Sequence, residues 1–330
     1  TRMDILREER NVPENVMLPS KDKYIYPAYI QNVGNQKVGY LRIDTFSPDE
    51  GLLMQNGIME DVNDYAVKEL KETLAWFKVN GVKKVVVDTI NNPGGALHLV
   101  AGVTQALSGE KVEQIKMQFG IKESWLKDFY QMSTVVGDEH LRKKYEIIYN
   151  ELLADQKKGL TLSSKAYPTD IIMPGHPFLK PNADLKNYKF DYVVLANEGN
   201  ASCGDIFVAN IVDNHLGVVA GAQTMGAGGN VVGHDSKSYL NFKQRTTESA
   251  LVRLNGEYIE NNGVKPHIEV KDIYNLIDSK YKEIVDFATD LLSKKNDLYL
   301  AMKNKIQTKQ KIRSVSLSLS CNKWFMKAKK

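Results

Sequence analysis

Cysteine is scarce in this chain: two in 330 residues, Cys203 and Cys321. Two thiols build no disulfide framework. There is no CxxC and no paired His/Cys spacing, so no zinc site is expected. No run of about 18 apolar residues occurs, so no membrane-spanning segment is expected either. Acidic side chains are missing after Asp297, where nine lysines and arginines follow between Lys303 and Lys330. Set against a formal net charge of +4, those nine leave the rest of the chain at −5. Residues 298–330 therefore read as a basic tail on a mildly acidic body. Such a tail is commonly a solvated terminus, and its charge also suits nucleic acid or an anionic surface. The chain starts at Thr1 without a charged-then-apolar leader, which reads as a processed chain or a fragment.

What is present is ordinary for a globular α/β protein: 42% hydrophobic and 25% charged residues, with no internal repeat. Residues 1–36 form a leading segment. "KVGYLRIDTF", residues 37–46, alternates and is rich in β-branched and aromatic side chains, as a strand requires. Val62, Tyr65, Ala66, Leu70, Leu74 and Phe77 recur at helical steps and predict a helix over 59–79, stopped by Gly81. "KKVVVDTI" is a continuous apolar run of strand length, suited to a strand covered on both faces. "NNPGG" ends it, and a helix follows to about residue 107.

Residues 112–188 are polar with helical periodicity and read as a helical insertion, closed by a Pro-, Asn- and Lys-rich connection over 161–188. Strand signals return in "FDYVVLAN" and "GVVAGA", with a helix over 203–214 between them. The Gly-rich loop "TMGAGGN" and strand-like segments over 231–271 come next, and a final helix over about 272–297. The core thus comprises residues 37–111 and 189–297. Alternating strands and helices predict a twisted sheet with helices packed on it.

Three places carry possible chemistry. In "VVVDTINNPGG" two glycines let the backbone approach a ligand closely and leave amide hydrogens free before a helix, which suits an oxyanion; a tight turn with no further role has the same sequence. In "EGNASCGDIFVAN", residues 198–210, a strand feeds a sharp turn and then a helix. Ser202 at the joint is either a nucleophile on a helix N-terminus or, like Asn200, a helix cap. Cys203 is a competing nucleophile, but directly after Ser202 it points elsewhere and offers its backbone N–H. In "EYIENNGVKPHIEV" Glu260 precedes an Asn-Asn-Gly turn, as an orienting carboxylate or a solvated turn residue, and His267 reads as a strand-end residue.

In order, "VGYLRIDTF", "VVVDTINNPGG", "SCGDIFVANIVDNHLGVVAGAQTMGAGG" and "EYIENNGVKPHIEV" resemble the chlamydial protease-like activity factor family, within the tail-specific, or C-terminal-processing, tricorn-type serine peptidases. The resemblance covers roughly 37–108 and 190–271. It implies a crotonase/ClpP-like spiral core and a serine endopeptidase needing no cofactor or metal. Ser202 matches the nucleophile and Glu260, 58 residues on, the carboxylate that orients the catalytic histidine. Cys203 matches the residue whose amide forms half of the oxyanion hole, and Gly94–Gly95 the other half.

The related Ser–Lys peptidases place a lysine in the loop after T-x-G; here that position is Ala227, which takes no proton, so a histidine must be the base. His234, after the Gly-rich loop, and His98, early in the helix after NNPGG, are the local candidates, and both also read as surface or packing residues. The resemblance instead implies a base upstream of Thr1, ahead of a PDZ-like domain whose last strand "MDILREERNVP" resembles. The expected partners are a polypeptide substrate, that upstream segment and a second copy in a homodimer, without nucleic acid. The expected location is secreted or periplasmic. A catalytically inactive peptidase-fold scaffold and a crotonase-type acyl-CoA enzyme are the alternative readings.

Overall fold

The computed structural model describes Met3, Leu6 and residues 12–20, 23–172, 180–235, 243–270 and 285–292. Its elements in chain order are β1 (Val16–Met17), β2 (Ala28–Val33), β3 (Gln36–Arg42), α1 (Glu50–Gln55), α2 (Val62–Val79), β4 (Lys84–Asp88) and α3 (Leu97–Ala106). There follow β5 (Lys116–Phe119), α4 (Glu123–Val135), α5 (Glu139–Lys157) and β6 (Tyr167–Pro168). The chain continues through β7 (Asp191–Ala196), α6 (Cys203–Asp213), β8 (Gly217–Gly221), β9 (Val231–Asp235), β10 (Lys243–Thr247), β11 (Ser249–Val252) and β12 (Ile268–Glu269).

Seven strands form one mixed sheet in the order β1-β2-β3-β4-β7-β8-β12. The first three pair antiparallel, and β3, β4, β7, β8 and β12 run parallel. The central strands alternate between two cores, which is why their sequences are apolar throughout. Val85, Val87, Tyr192, Val194 and Ala196 join the core beneath α2, α3 and α6. Val86, Val193 and Leu195 face the opposite core, which holds Leu291, Leu292 and the buried Met3 and Leu6. Of the expected final helix, 285–292 is helical, and the rest lies outside the described residues. Met3 and Leu6 are helical where the sequence reading has a strand. The other residues of 1–11, the tail 298–330, Cys321 and His176 lie outside the described residues.

Helix α6 is buried at every residue from Cys203 to Ile211. Its sequence has almost no polar face, so it packs as a central helix rather than a surface one. Helix α2 is capped by Asp61, whose carboxylate accepts from the Asn63 and Asp64 amides.

The 112–188 segment is less purely helical than its periodicity suggests. Helices α4 and α5 pack together, but β5 pairs with β6 and with β11 in a separate three-stranded sheet. Glu248, just before β11, accepts from Lys122 Nζ at 2.9 Å, and its carbonyl accepts from Trp125 Nε1 at 3.2 Å and Gly120 N at 2.8 Å. The insertion is thereby stitched to the loop that also borders the site. A four-residue strand whose partner lies more than a hundred residues away leaves no periodic signal.

Candidate active site

Parallel β3, β4, β7 and β8 end on one edge of the sheet, where their carboxyl ends leave a crevice between the following loops. Residues 89–96 after β4 and 197–202 after β7 meet there. Four asparagines hold them together. Asn91 N donates to Asn197 Oδ1 and Asn197 Nδ2 to Asn91 Oδ1, both at 2.8 Å. Asn200 Nδ2 donates to the Thr89 carbonyl at 2.9 Å, while Asn200 Oδ1 accepts from Asn197 N at 2.8 Å. Asn92 Nδ2 reaches the Ile43 carbonyl at 3.0 Å, and the Asn92 carbonyl accepts from Ala201 N at 3.0 Å. Asn92, Asn197 and Asn200 are fully buried, so each of these bonds satisfies a group that water cannot reach. Asn91 sits at φ 62°, a left-handed conformation that asparagine tolerates better than most residues.

Ser202 is the residue before α6 and has φ 52° and ψ −120°. This conformation costs a serine of the order of 1–3 kcal/mol and persists only when its surroundings over-determine it. They do: Ser202 N donates to the Ala227 carbonyl at 3.0 Å, and its own carbonyl accepts the first helical bond from Ile206 at 3.0 Å. The Ser202 side chain makes no cap bond. The cap reading therefore fails for the hydroxyl, and the residue is partly exposed at the helix N-terminus.

Gly94 and Gly95 approach this turn as backbone only. A Cβ on Gly94, at φ 102°, would lie 2.7 Å from Ser202 Cβ and 2.8 Å from Cys203 N. One on Gly95, at φ 144°, would lie 2.1 Å from the carbonyl carbon of Phe46. The Gly94 amide donates to Asn92 Oδ1 at 2.9 Å. Among the described residues the amides of Gly95 and Cys203 donate to no backbone carbonyl. Cys203 is buried and its Sγ donates to the Gly95 carbonyl at 3.0 Å. Burial pushes its thiol up to about 12, so it is no thiolate nucleophile at neutral pH.

Glu260 is half-buried beside the loop 223–229. Its two carboxylate oxygens accept from Leu251 N at 2.9 and 3.0 Å, and burial together with the nearby Asp205 charge raises its pKa. Asp205, in the first turn of α6, is buried and accepts from Gly226 N at 2.9 Å, Ala227 N at 3.1 Å and the Thr224 hydroxyl. Sequence reasoning missed both this carboxylate and the asparagine set. The spacing Ser202-x-x-Asp205 before an apolar run is a capping-box signal that marks Asp205.

No histidine among the described residues is hydrogen-bonded to Ser202 or Glu260. His98 lies near Asp61, whose pKa is lowered chiefly by the hydrogen bond from the Asp64 amide and least by the His98 charge. His267 is buried with Nδ1 accepting from Val219 N at 2.9 Å, and His140 and His215 are exposed. The backbone of His234 is in β9, and its side chain lies outside the described residues. Among the described residues no three His, Cys, Asp or Glu side chains gather as a metal site, and no helix is long and apolar enough to cross a membrane.

Residues 37–270 match Peptidase family S41, a span that contains every site residue named above. The chain belongs to this family. As an S41 member it is 27% identical over 273 residues to an uncharacterized protein of Chlamydia muridarum, covering 75% of this chain and 43% of that one. A probable CtpA-like serine protease of Staphylococcus aureus is 24% identical, over 61% of this chain and 30% of its own length. The S41 chain spans less than half the length of the chlamydial relatives it matches. Among solved structures, mature CPAF superposes with TM-score 0.66 at 24% identity, covering 87% of this chain and 56% of that one. A putative peptidase from Parabacteroides merdae gives TM-score 0.53 at 15% identity, with 89% and 71% covered. The mixed α/β architecture is that of these S41 neighbours.

Proposed function

We propose that this chain carries the nucleophile half of a serine endopeptidase site, with Ser202 as nucleophile. The observation that carries the reading is the strained Ser202 backbone at the N-terminus of buried α6, facing two glycines that admit no side chain. In the proposed reaction an imidazole takes the proton from Ser202 Oγ as Oγ bonds to the scissile carbonyl carbon. The amides of Cys203 and Gly95 receive the oxyanion, with the α6 dipole adding to their field. Gly94 contributes through its peptide geometry, since its amide serves Asn92. The imidazolium returns the proton to the leaving amine as the C–N bond breaks, and water then hydrolyses the acyl-enzyme. Glu260, ionised, stabilises the imidazolium, and its raised pKa suits a carboxylate waiting for that cationic partner.

The histidine is supplied from outside this chain, by the part of the longer protein that the relatives' greater length accommodates. Cleavage of an unstructured polypeptide by the full-length protein, lost in Ser202→Ala, tests the reading. An inactive peptidase-fold scaffold is the second reading, favoured by the lack of a histidine bonded to Ser202 among the described residues. It predicts no cleavage with or without Ser202.

A further inference from the structure

Asp205 occupies the third position of α6 with a fully buried carboxylate, and among the described residues no lysine or arginine is ion-paired with it. As in a capping box, the carboxylate lies within reach of the amide of its own N-cap residue, Ser202, which favours its ionised form. Here three of its bonds go elsewhere, to the Thr224 hydroxyl and the Gly226 and Ala227 amides, about twenty residues along the chain.

The loop it grips touches both halves of the site. The Ala227 carbonyl holds Ser202 N at 3.0 Å, and the Gly226 carbonyl holds Asn261 N at 2.8 Å, next to Glu260. The Thr224 hydroxyl, donating to Asp205, also accepts from Val264 N at 2.8 Å. A Cβ on Gly226 would lie 2.6 Å from Gly263 N, and one on Gly229 would lie 3.1 Å from Glu260 Oε1. The nucleophile's turn and the carboxylate's turn are therefore joined through a single loop whose amides converge on one carboxylate. Water, the usual partner of an anion, has no access to it.

We propose that Asp205 is a positioning residue: it locks loop 224–227 so that Ser202 and Glu260 keep a fixed relative placement. The proposal rests on the reading of Ser202 as nucleophile. An asparagine at 205 keeps one acceptor oxygen but presents an NH2 to one of three donors, so the loop loses a bond and gains a repulsion. Misplacing a reacting group by about 1 Å costs on the order of 100-fold in rate.

Two measurements on the full-length protein test this together. Hydrogen exchange of the Gly226 and Ala227 amides, followed in the Ser202→Ala background, reports the loop without any need for activity. The rate of covalent labelling by a fluorophosphonate reports the nucleophile. Asp205→Asn should lose protection at those amides and slow labelling by roughly 10- to 100-fold. In peptide cleavage it should lower kcat while KM changes little. Thr224→Val should slow labelling as well, and Thr224→Ser, which retains the hydroxyl, should recover most of the rate. Unchanged protection overturns the proposal. Lost protection with undiminished labelling also overturns it, leaving Asp205 a purely structural residue. Absence of labelling in the unmodified protein overturns the nucleophile reading, and this proposal with it, even where the exchange result stands.

Discussion

The Cys203 thiol donates to the carbonyl oxygen of Gly95 across 3.0 Å, tying the first residue of α6 to the glycine turn opposite. Because burial holds that thiol near pKa 12, it stays protonated and keeps donating through the neutral range. Iodoacetamide at pH 7.5 should leave Cys203 unmodified in the folded protein and alkylate it in urea, read by peptide mass spectrometry. Cys203→Val leaves the Gly95 carbonyl unpaired and should cost about 1–3 kcal/mol in denaturant unfolding, where Cys203→Ser costs less.

The two glycines should fail in different ways. Gly94→Ala puts a methyl 2.7 Å from Ser202 Cβ, at a residue whose backbone is already strained. Fluorophosphonate labelling should drop by on the order of 100-fold while far-UV circular dichroism is unchanged. Gly95→Ala drives its methyl into the Phe46 backbone at 2.1 Å, where no side chain rotation relieves it. That variant should lose folding stability by about 1–3 kcal/mol or more.

Asn200 bonds Asn197 N through its oxygen and the Thr89 carbonyl through its nitrogen, from a fully buried position. Asn200→Ala leaves the Asn197 amide buried and unsatisfied, at about 1–3 kcal/mol, while the Thr89 carbonyl keeps its bond from Asn92 N. Asn200→Asp keeps the acceptor, but its second oxygen faces the Thr89 carbonyl and should destabilise as well. Thermal unfolding measures both.

His267 gives the fold a pH dependence. Burial, aided by the positive charges of His215 and Arg253, lowers its pKa to about 4, and Nδ1 accepts from Val219 N. As pH falls below the ordinary 6.5, the unfolded chain takes up a proton that the folded state refuses until about 4. Its contribution is therefore complete above pH 6.5 and lost between 6.5 and about 4, worth roughly 3 kcal/mol over that window. Urea midpoints from pH 7 to 4.5 should fall less steeply in His267→Gln than in the unmodified protein.

Strands β4 and β7 were legible in the sequence because burial on both faces makes them continuous apolar runs. The turn at Ser202 and the pair Gly94–Gly95 were legible because glycine and small polar residues punctuate those runs. The asparagine set was not: Asn91 and Asn197 lie 106 residues apart, and each alone reads as an ordinary turn residue. Strands β5 and β6 were hidden for the same reason: β5 pairs with remote β11, β6 pairs with β5 across the two intervening helices, and both are too short to alternate visibly. The Gly94–Gly95 turn was expected to supply half of an oxyanion hole; within it the Gly94 amide is captured by its own neighbour Asn92 in a local turn that spacing alone does not show.

The central claim is that Ser202 is the nucleophile. The full-length protein should be treated with a fluorophosphonate and the modified residue located by tandem mass spectrometry. A single adduct on Ser202, absent in Ser202→Ala, is the predicted result. An adduct on another residue, or none in a protein that is folded and intact, would contradict it.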